Sequence, residues 1–288
     1  MNKFALDKRS LRVAFERAAE TYDAAAVLQN EVCERMLGRL EYIKHKPVSI
    51  LDAGSGTGNA LAGLRKRYSS AHIFAFDLAL GMLSRGRRRR PWWRYALKRG
   101  LDAVCGDIER LPFAERAFDM IWSNLALQWV NDVPPVFRDM KRVLAPGGLL
   151  MFSTFGPDTL RELREAYRGV DRYTHVNRFI DMHDIGDMLV HAGYGDPVMD
   201  MEHITLTYED VGALMRELKA IGAHNVTLGR PSGLSGRKGF ETLTRNYESM
   251  RRIGKLPATF EVIYGHAWKP LPRTSPGGRP VIDIKPRR

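Results

Sequence analysis

The stretch Leu51-Asp-Ala-Gly-Ser-Gly-Thr-Gly-Asn59 constrains the fold of this chain more than any other feature. Gly54, Gly56 and Gly58 alternate directly after the β-type run Pro47-Val-Ser-Ile-Leu-Asp52, and helix-compatible sequence follows to Arg67. A strand that breaks into glycines and then a helix leaves backbone amides facing outward with no Cβ in the way. The pattern recurs. Ala71-His-Ile-Phe-Ala-Phe-Asp77, Asp102-Ala-Val-Cys105 and Ala117-Phe-Asp-Met-Ile-Trp-Ser-Asn124 read as strands, and Val133, Val136, Phe137, Met140, Val143 and Leu144 have helical spacing. Pro146-Gly-Gly148 then turns the chain into the buried run Leu149-Leu-Met-Phe-Ser-Thr-Phe155. Strands alternating with helices on one-sided connections predict an α/β chain with a parallel sheet covered on both faces.

Outside that alternation, Leu11, Ala14, Phe15, Ala18 and Tyr22 predict an amphipathic helix over 5–20, with a second over 24–42. Residues 1–46 therefore read as an N-terminal helical cap and 47–269 as the main domain. After Phe155, two segments interrupt the pattern. Residues 157–181 are polar and helix-prone, and 208–255 are mostly helical; between them come a helix over 184–192 and a strand over 197–207, with a last strand over 258–264. Insertions near the end of a sheet whose glycine loop lies near its start suggest a lid over a ligand. Residues 270–288, rich in proline, glycine and basic residues, read as a disordered basic tail.

Lys and Arg number 45 against 33 Asp and Glu, a net charge of +12, which favours an acidic partner without choosing one. Two isolated cysteines, Cys33 and Cys105, fit a reducing compartment and no thiolate metal site. The charged N-terminus and the absence of an 18-residue apolar run predict a cytoplasmic protein.

A nicotinamide dinucleotide site usually wants G-x-G-x-x-G, and Asn59 stands at the third glycine position. Asp52, just before the glycines, would repel a pyrophosphate but attract an ammonium or sulfonium. Asp77 ends the next strand, placed to accept from two ribose hydroxyls, and Asp107 with Ile108 follows the third, offering a carboxylate and an apolar wall to an adenine. Together these describe a nucleoside with a cationic amino-acid tail, S-adenosylmethionine. Eight scattered histidines show no metal-ligand spacing, so no metal is expected.

The chain resembles the class I S-adenosylmethionine methyltransferases, and more narrowly the malonyl-[acyl-carrier protein] O-methyltransferases of biotin synthesis. Beyond the glycine loop, the resemblance rests on Phe15-Glu-Arg-Ala-Ala-Glu-Thr-Tyr-Asp23 with Gln29, Gly106-Asp-Ile-Glu-Arg-Leu-Pro-Phe113, Ser123-Asn-Leu-Ala-Leu-Gln-Trp129, Asn177-Arg-Phe179 and Leu218-Lys-Ala-Ile-Gly-Ala-His-Asn225. It implies a Rossmann-like, mostly parallel seven-stranded sheet, and methylation of the free carboxylate of a malonyl thioester. In related enzymes the counterpart of Tyr22 closes over the sulfonium. Asn124 would meet the methionyl ammonium, and His175 and Arg178 would meet the acceptor carboxylate. Nucleic-acid methylation is disfavoured, because Ser123-Asn-Leu-Ala126 replaces the Asn-Pro-Pro-aromatic block that holds a base nitrogen. Another small carboxylate, a quinone, or a basic RNA- or protein-binding role stays open. Arg85 to Arg99 carries eight positive charges, no acid, and Trp92 and Trp93, a candidate docking surface for acidic acyl carrier protein.

Overall fold

The computed structural model describes residues 4–88, 102–223, 225–230 and 236–272. Seven strands form one sheet: β1 (Ser49–Ala53), β2 (His72–Asp77), β3 (Asp102–Cys105), β4 (Phe118–Ser123), β5 (Leu144–Phe155), β6 (Gly195–Tyr208) and β7 (Leu256–Trp268). Their order is β3-β2-β1-β4-β5-β7-β6. The first five run parallel, and β7 lies antiparallel between β5 and β6. The chain proceeds outward from β1 to β3, then returns to place β4 on the other side of β1. That reversal opens a crevice beyond the carboxyl ends of β1 and β4, where ligands bind in open α/β sheets.

Side-chain alternation along the strands builds a core on each face. Ile50, Met120 and Trp122 pack on one side, with Leu28, Val32 and Met36 of α3 (Val27–Arg39) and Leu61 and Leu64 of α4 (Ala60–Arg67). Leu51, Ile121 and Phe152 pack on the other, with α6 (Val133–Val143), whose Val133, Val136, Phe137, Met140 and Val143 form the expected stripe, and with α8 (Met182–His191).

Some sequence expectations shift. The first helix, α1 (Lys8–Ala18), forms, but the single helix over 24–42 divides into α2 (Tyr22–Ala25) and α3, broken at Ala26, before a short 3-10 turn. Of 157–181 only α7 (Arg161–Ala166) is helical; Leu160 enters it at φ 54° and Gly169 follows at φ 78°. The 208–255 stretch holds α9 (Val211–Ala220) and α10 (Arg237–Glu248). β6 and β7 extend past their predicted ends because each satisfies the other's backbone, from Gly195 opposite Trp268 to Tyr208 opposite Leu256. α5 (Leu80–Arg88) leads into the basic segment, whose residues 89–99 lie outside the described residues, as does the tail from 273. Among the described residues no helix is long and apolar enough to cross a membrane.

Candidate functional site

The glycine loop is anchored to the neighbouring strand before any ligand arrives. Gly54 N–H and Ser55 N–H both donate to Phe76 O (2.8 and 3.0 Å), and Gly56 N–H donates to Asp77 Oδ2 (2.8 Å). Gly54 stands at φ 84°, and a Cβ there would overlap the Cβ of Ala126. Gly56, at φ 54°, differs: the nearest atom to its missing Cβ is Tyr22 Cε1 at 3.8 Å, so its space opens toward the cavity rather than into packed protein. The sequence does not distinguish these two roles.

A cavity of about 250 Å³ opens above the loop. Its first half is lined by Gly54, Gly56, Asp77, Asp107, Ile108, Asn124 and Tyr22, from β1, β2, the ends of β3 and β4, and α2. Asp77 accepts from Gly56 N–H through Oδ2 and from Ala79 N–H through Oδ1 (2.9 Å), which fixes the carboxylate and leaves each oxygen a further lone pair. Burial pushes its carboxyl up to about 6, although those two N–H groups pull it back. Asp52 is 2% exposed and is not part of the wall; burial first, then the nearby Asp77 charge, push it up to about 8. Gly58 also stands back from the cavity.

At the end of the cavity next to β3, Asp107 Oδ1 accepts from Lys8 Nζ (3.0 Å) and from Glu109 N–H (3.0 Å). Lys8 also meets Glu109 Oε1 (2.9 Å) and Trp129 O (3.1 Å). Asn124 spends its side-chain amide on the wall, donating to Gln29 O (3.1 Å) and accepting from Ser153 Oγ (2.8 Å). Tyr22 has its hydroxyl pushed far up by burial and by the charges of Asp77 and Asp23, so it remains a neutral O–H donor.

The inserted segments supply the second half. Leu160, Leu163, Tyr167, Val176 and Phe179 face Met215, Leu218 and Ile221 of the later insertion across Phe155 and Phe260. His175 lines this half, stacked on Tyr167 with centroids 3.6 Å apart, its Nε2 held by Asp171 at 2.8 and 3.0 Å. Arg178 does not reach the cavity. It lines a small adjoining pocket, with its guanidinium 5.1 Å from the Phe4 ring centre.

Lys8, Gln29, Asn177 and Asn225 reach the cavity without a role that the sequence assigns; Gln29, Asn177 and Asn225 belong to the blocks that carry the resemblance, whereas nothing in the sequence marks Lys8. Gln29 Oε1 and Asn177 Oδ1 are buried acceptors with no hydrogen-bond partner among the described residues, which makes them candidates to bond a ligand. One group of metal-capable side chains occurs among the described residues, Asp158, His203 and Glu261, none of which lines the cavity. Arg85, at the start of the basic segment, has an acidic neighbour, Asp23 at 3.7 Å.

Sheet order, glycine loop and carboxylates at successive strand ends define a class I methyltransferase, and a methyltransferase-domain family model matches residues 51–152. The fold agrees with a solved putative methyltransferase from Bacillus halodurans (TM-score 0.57, 21% identity, covering 81% of this chain and 98% of that one). The chain is 57% identical over 284 residues to the malonyl-[acyl-carrier protein] O-methyltransferase of Gallionella capsiferriformans, covering 98% of each. It is 57% identical to the protein of that name from Nitrosospira multiformis, covering 94% of this chain and 92% of that one. The chain therefore belongs to the malonyl-[acyl-carrier protein] O-methyltransferase family.

Proposed function

We infer that the chain transfers the methyl group of S-adenosylmethionine to the free carboxylate of a malonyl thioester on acyl carrier protein, giving the methyl ester used in biotin synthesis. The observation that carries this reading is the division of one cavity. Its first half is a glycine cradle with Asp77 and Asp107. Its second half is an apolar inserted wall on which, among the described residues, no acid stands to repel a carboxylate. The open space at Gly56 and the spare lone pairs of Asp77 fit a ribose with its attached tail.

S-adenosylmethionine supplies an electrophilic methyl on a sulfonium. The acceptor carboxylate, with an unperturbed pKa of about 4, is already ionised at neutral pH, so its oxygen forms the C–O bond while the S–C electron pair leaves with sulfur and no proton moves. The protein's task is alignment and desolvation. Asp77 holds the ribose diol. Asp107, steadied by Lys8, and Ile108 hold the adenine, and the Asn124 backbone carbonyl faces the methionyl ammonium. Asp52 acts from behind the loop, where an approaching cation draws its raised carboxyl into the ionised form. Tyr22, above Gly56, orients the reacting groups through its hydroxyl. His175, kept in one orientation by Asp171 and Tyr167, borders the space of the acceptor carboxylate, and Arg178 adds positive potential from the adjoining pocket. The product suits the pathway, because a charged chain end in an apolar elongation tunnel is costly, on the order of 2–7 kcal/mol even for a neutral polar group.

The test is methyl transfer from labelled S-adenosylmethionine to purified malonyl-carrier protein, with the succinyl and acetyl thioesters as controls. Label on the malonyl thioester as a base-labile ester is expected. Equal labelling of the succinyl form, or none of any thioester, would refute the assignment. Within it, Tyr22→Phe should lower turnover at least tenfold, about 1.4 kcal/mol, with little change in melting temperature. A wild-type rate would leave Tyr22 as packing alone.

A further inference from the structure

A second groove, of about 260 Å³, lies beside the cavity, and Asn225 belongs to the walls of both. α1 divides its faces between them. Leu11 and Phe15 look into the cavity, whereas Arg9, Val13 and Arg17, at successive i, i+4 positions, line the groove together with Arg230. The described lining contains three guanidinium groups and no carboxylate.

The three arginines are not equivalent. Arg230 builds the groove: it donates to Val226 O (3.0 Å), Thr227 O (3.1 Å) and Ser10 Oγ (3.2 Å), and it pairs with Asp7 at 3.5 Å. Arg12, on the same helix, is matched by Glu16. Arg9 and Arg17 are exposed and, among the described residues, neither has an acidic partner within ion-pair distance. Their Cα atoms are separated by about 12 Å along the helix axis, a span that two long side chains close from either end. A guanidinium fork matches the oxygens of a phosphate or a carboxylate in bidentate fashion, and on the reading above the acceptor's carboxylate is taken by the cavity.

On the reading given above, the acceptor enters the cavity by its malonyl end. The arm that carries the thioester must then leave the cavity, the groove adjoins the cavity at Asn225, and that arm bears a single phosphodiester. We propose that the groove formed by Arg9, Arg17 and Arg230 receives the phosphodiester of the carrier's phosphopantetheine arm, and that this contact sets the affinity for the thioester without entering the chemistry. Three guanidinium groups gathered around one concave space suit a single localised dianion or diester, whereas an acidic protein face is met by cations spread over a broad exposed surface.

The experiment compares wild type with the double variant Arg9→Gln/Arg17→Gln on malonyl-phosphopantetheine, malonyl-pantetheine and malonyl-carrier protein. Arg230 is left in place because it holds the groove together. For the wild type, the phosphorylated thioester should have a KM about tenfold below the unphosphorylated one, equivalent to about 1.4 kcal/mol. The double variant should lose that advantage, raise KM on the carrier-protein substrate to a similar degree, and keep both its kcat and its KM on malonyl-pantetheine. Equal losses with and without the phosphate would overturn the proposal, as would no loss on either. A loss confined to the carrier protein would also overturn it, in favour of an acidic protein face. A wild type inactive on every malonyl thioester would instead refute the reading of the acceptor.

Discussion

Asp77→Ala is expected to weaken S-adenosylmethionine binding by roughly 1.5–3 kcal/mol, about ten- to a hundred-fold, because the ribose diol loses a charged acceptor. The change also frees the N–H groups of Gly56 and Ala79, so the loop keeps only the Gly54 and Ser55 bonds to Phe76 O as its ties to β2. Asp77→Asn, which keeps one oxygen acceptor, should retain more affinity than the alanine variant, and calorimetric titration separates the two. The pH dependence has a definite sign. Burial raises Asp77 from 3.8 to about 6, so the folded protein binds that proton more tightly than the unfolded chain does. The group therefore favours the folded state below 3.8 and loses that advantage as pH rises through about 6, whereas the ionised form is the better ribose acceptor. Wild-type affinity should accordingly fall as pH drops through about 6 while the ligand-free fold becomes no less stable on account of this group. The alanine variant should show a flatter affinity profile. An unchanged dissociation constant in Asp77→Ala would remove the residue from the ribose site.

Gly54→Ala should do more harm to the protein itself. The backbone there stands at φ 84°, where an L-residue pays about 1–2 kcal/mol, and the new methyl would occupy the space of Ala126 Cβ, adding roughly 1–3 kcal/mol of overpacking. A loss of about 2–5 kcal/mol should appear as a lower denaturant midpoint, with cofactor binding lost as the loop shifts away from Phe76 O. Gly56→Ala should show the opposite division. Its new methyl meets open space, so stability should fall by the φ penalty alone while the ligand's room is reduced. Equal midpoints for the two variants would show that Ala126 yields without cost.

What could be read in the sequence was local. A strand, a glycine turn and a helix occupy one short stretch, and parallel strands with short connections bring their carboxyl ends together, so Asp77, Asp107, Ile108 and Asn124 needed only the hydrophobic pattern to be placed on one rim. The same logic placed Asp52 at the strand end but not its facing: it stands behind the wall, because the strand's twist and the loop's return decide which terminal side chain faces outward. The helical reading of 157–181 failed because that segment is shaped by its partners: Thr174 exchanges hydrogen bonds with Asn225 and Gly229, and His175 stacks on Tyr167.

By itself, then, the sequence determined the layer architecture, the glycine cradle and the rim of carboxylates, since each follows from chirality, periodicity and the lack of a Cβ within a few residues. Only the tertiary structure decided the rest. Lys8 meets Asp107 across 99 positions of sequence. His175 reaches the cavity whereas Arg178, three residues on, turns to Phe4. Arg9 and Arg17 share a groove with Arg230, more than 200 residues away. Contacts of this kind carry no periodic signature, because they arise where separate segments pack together, and the direction of each side chain is set by the neighbours it meets there.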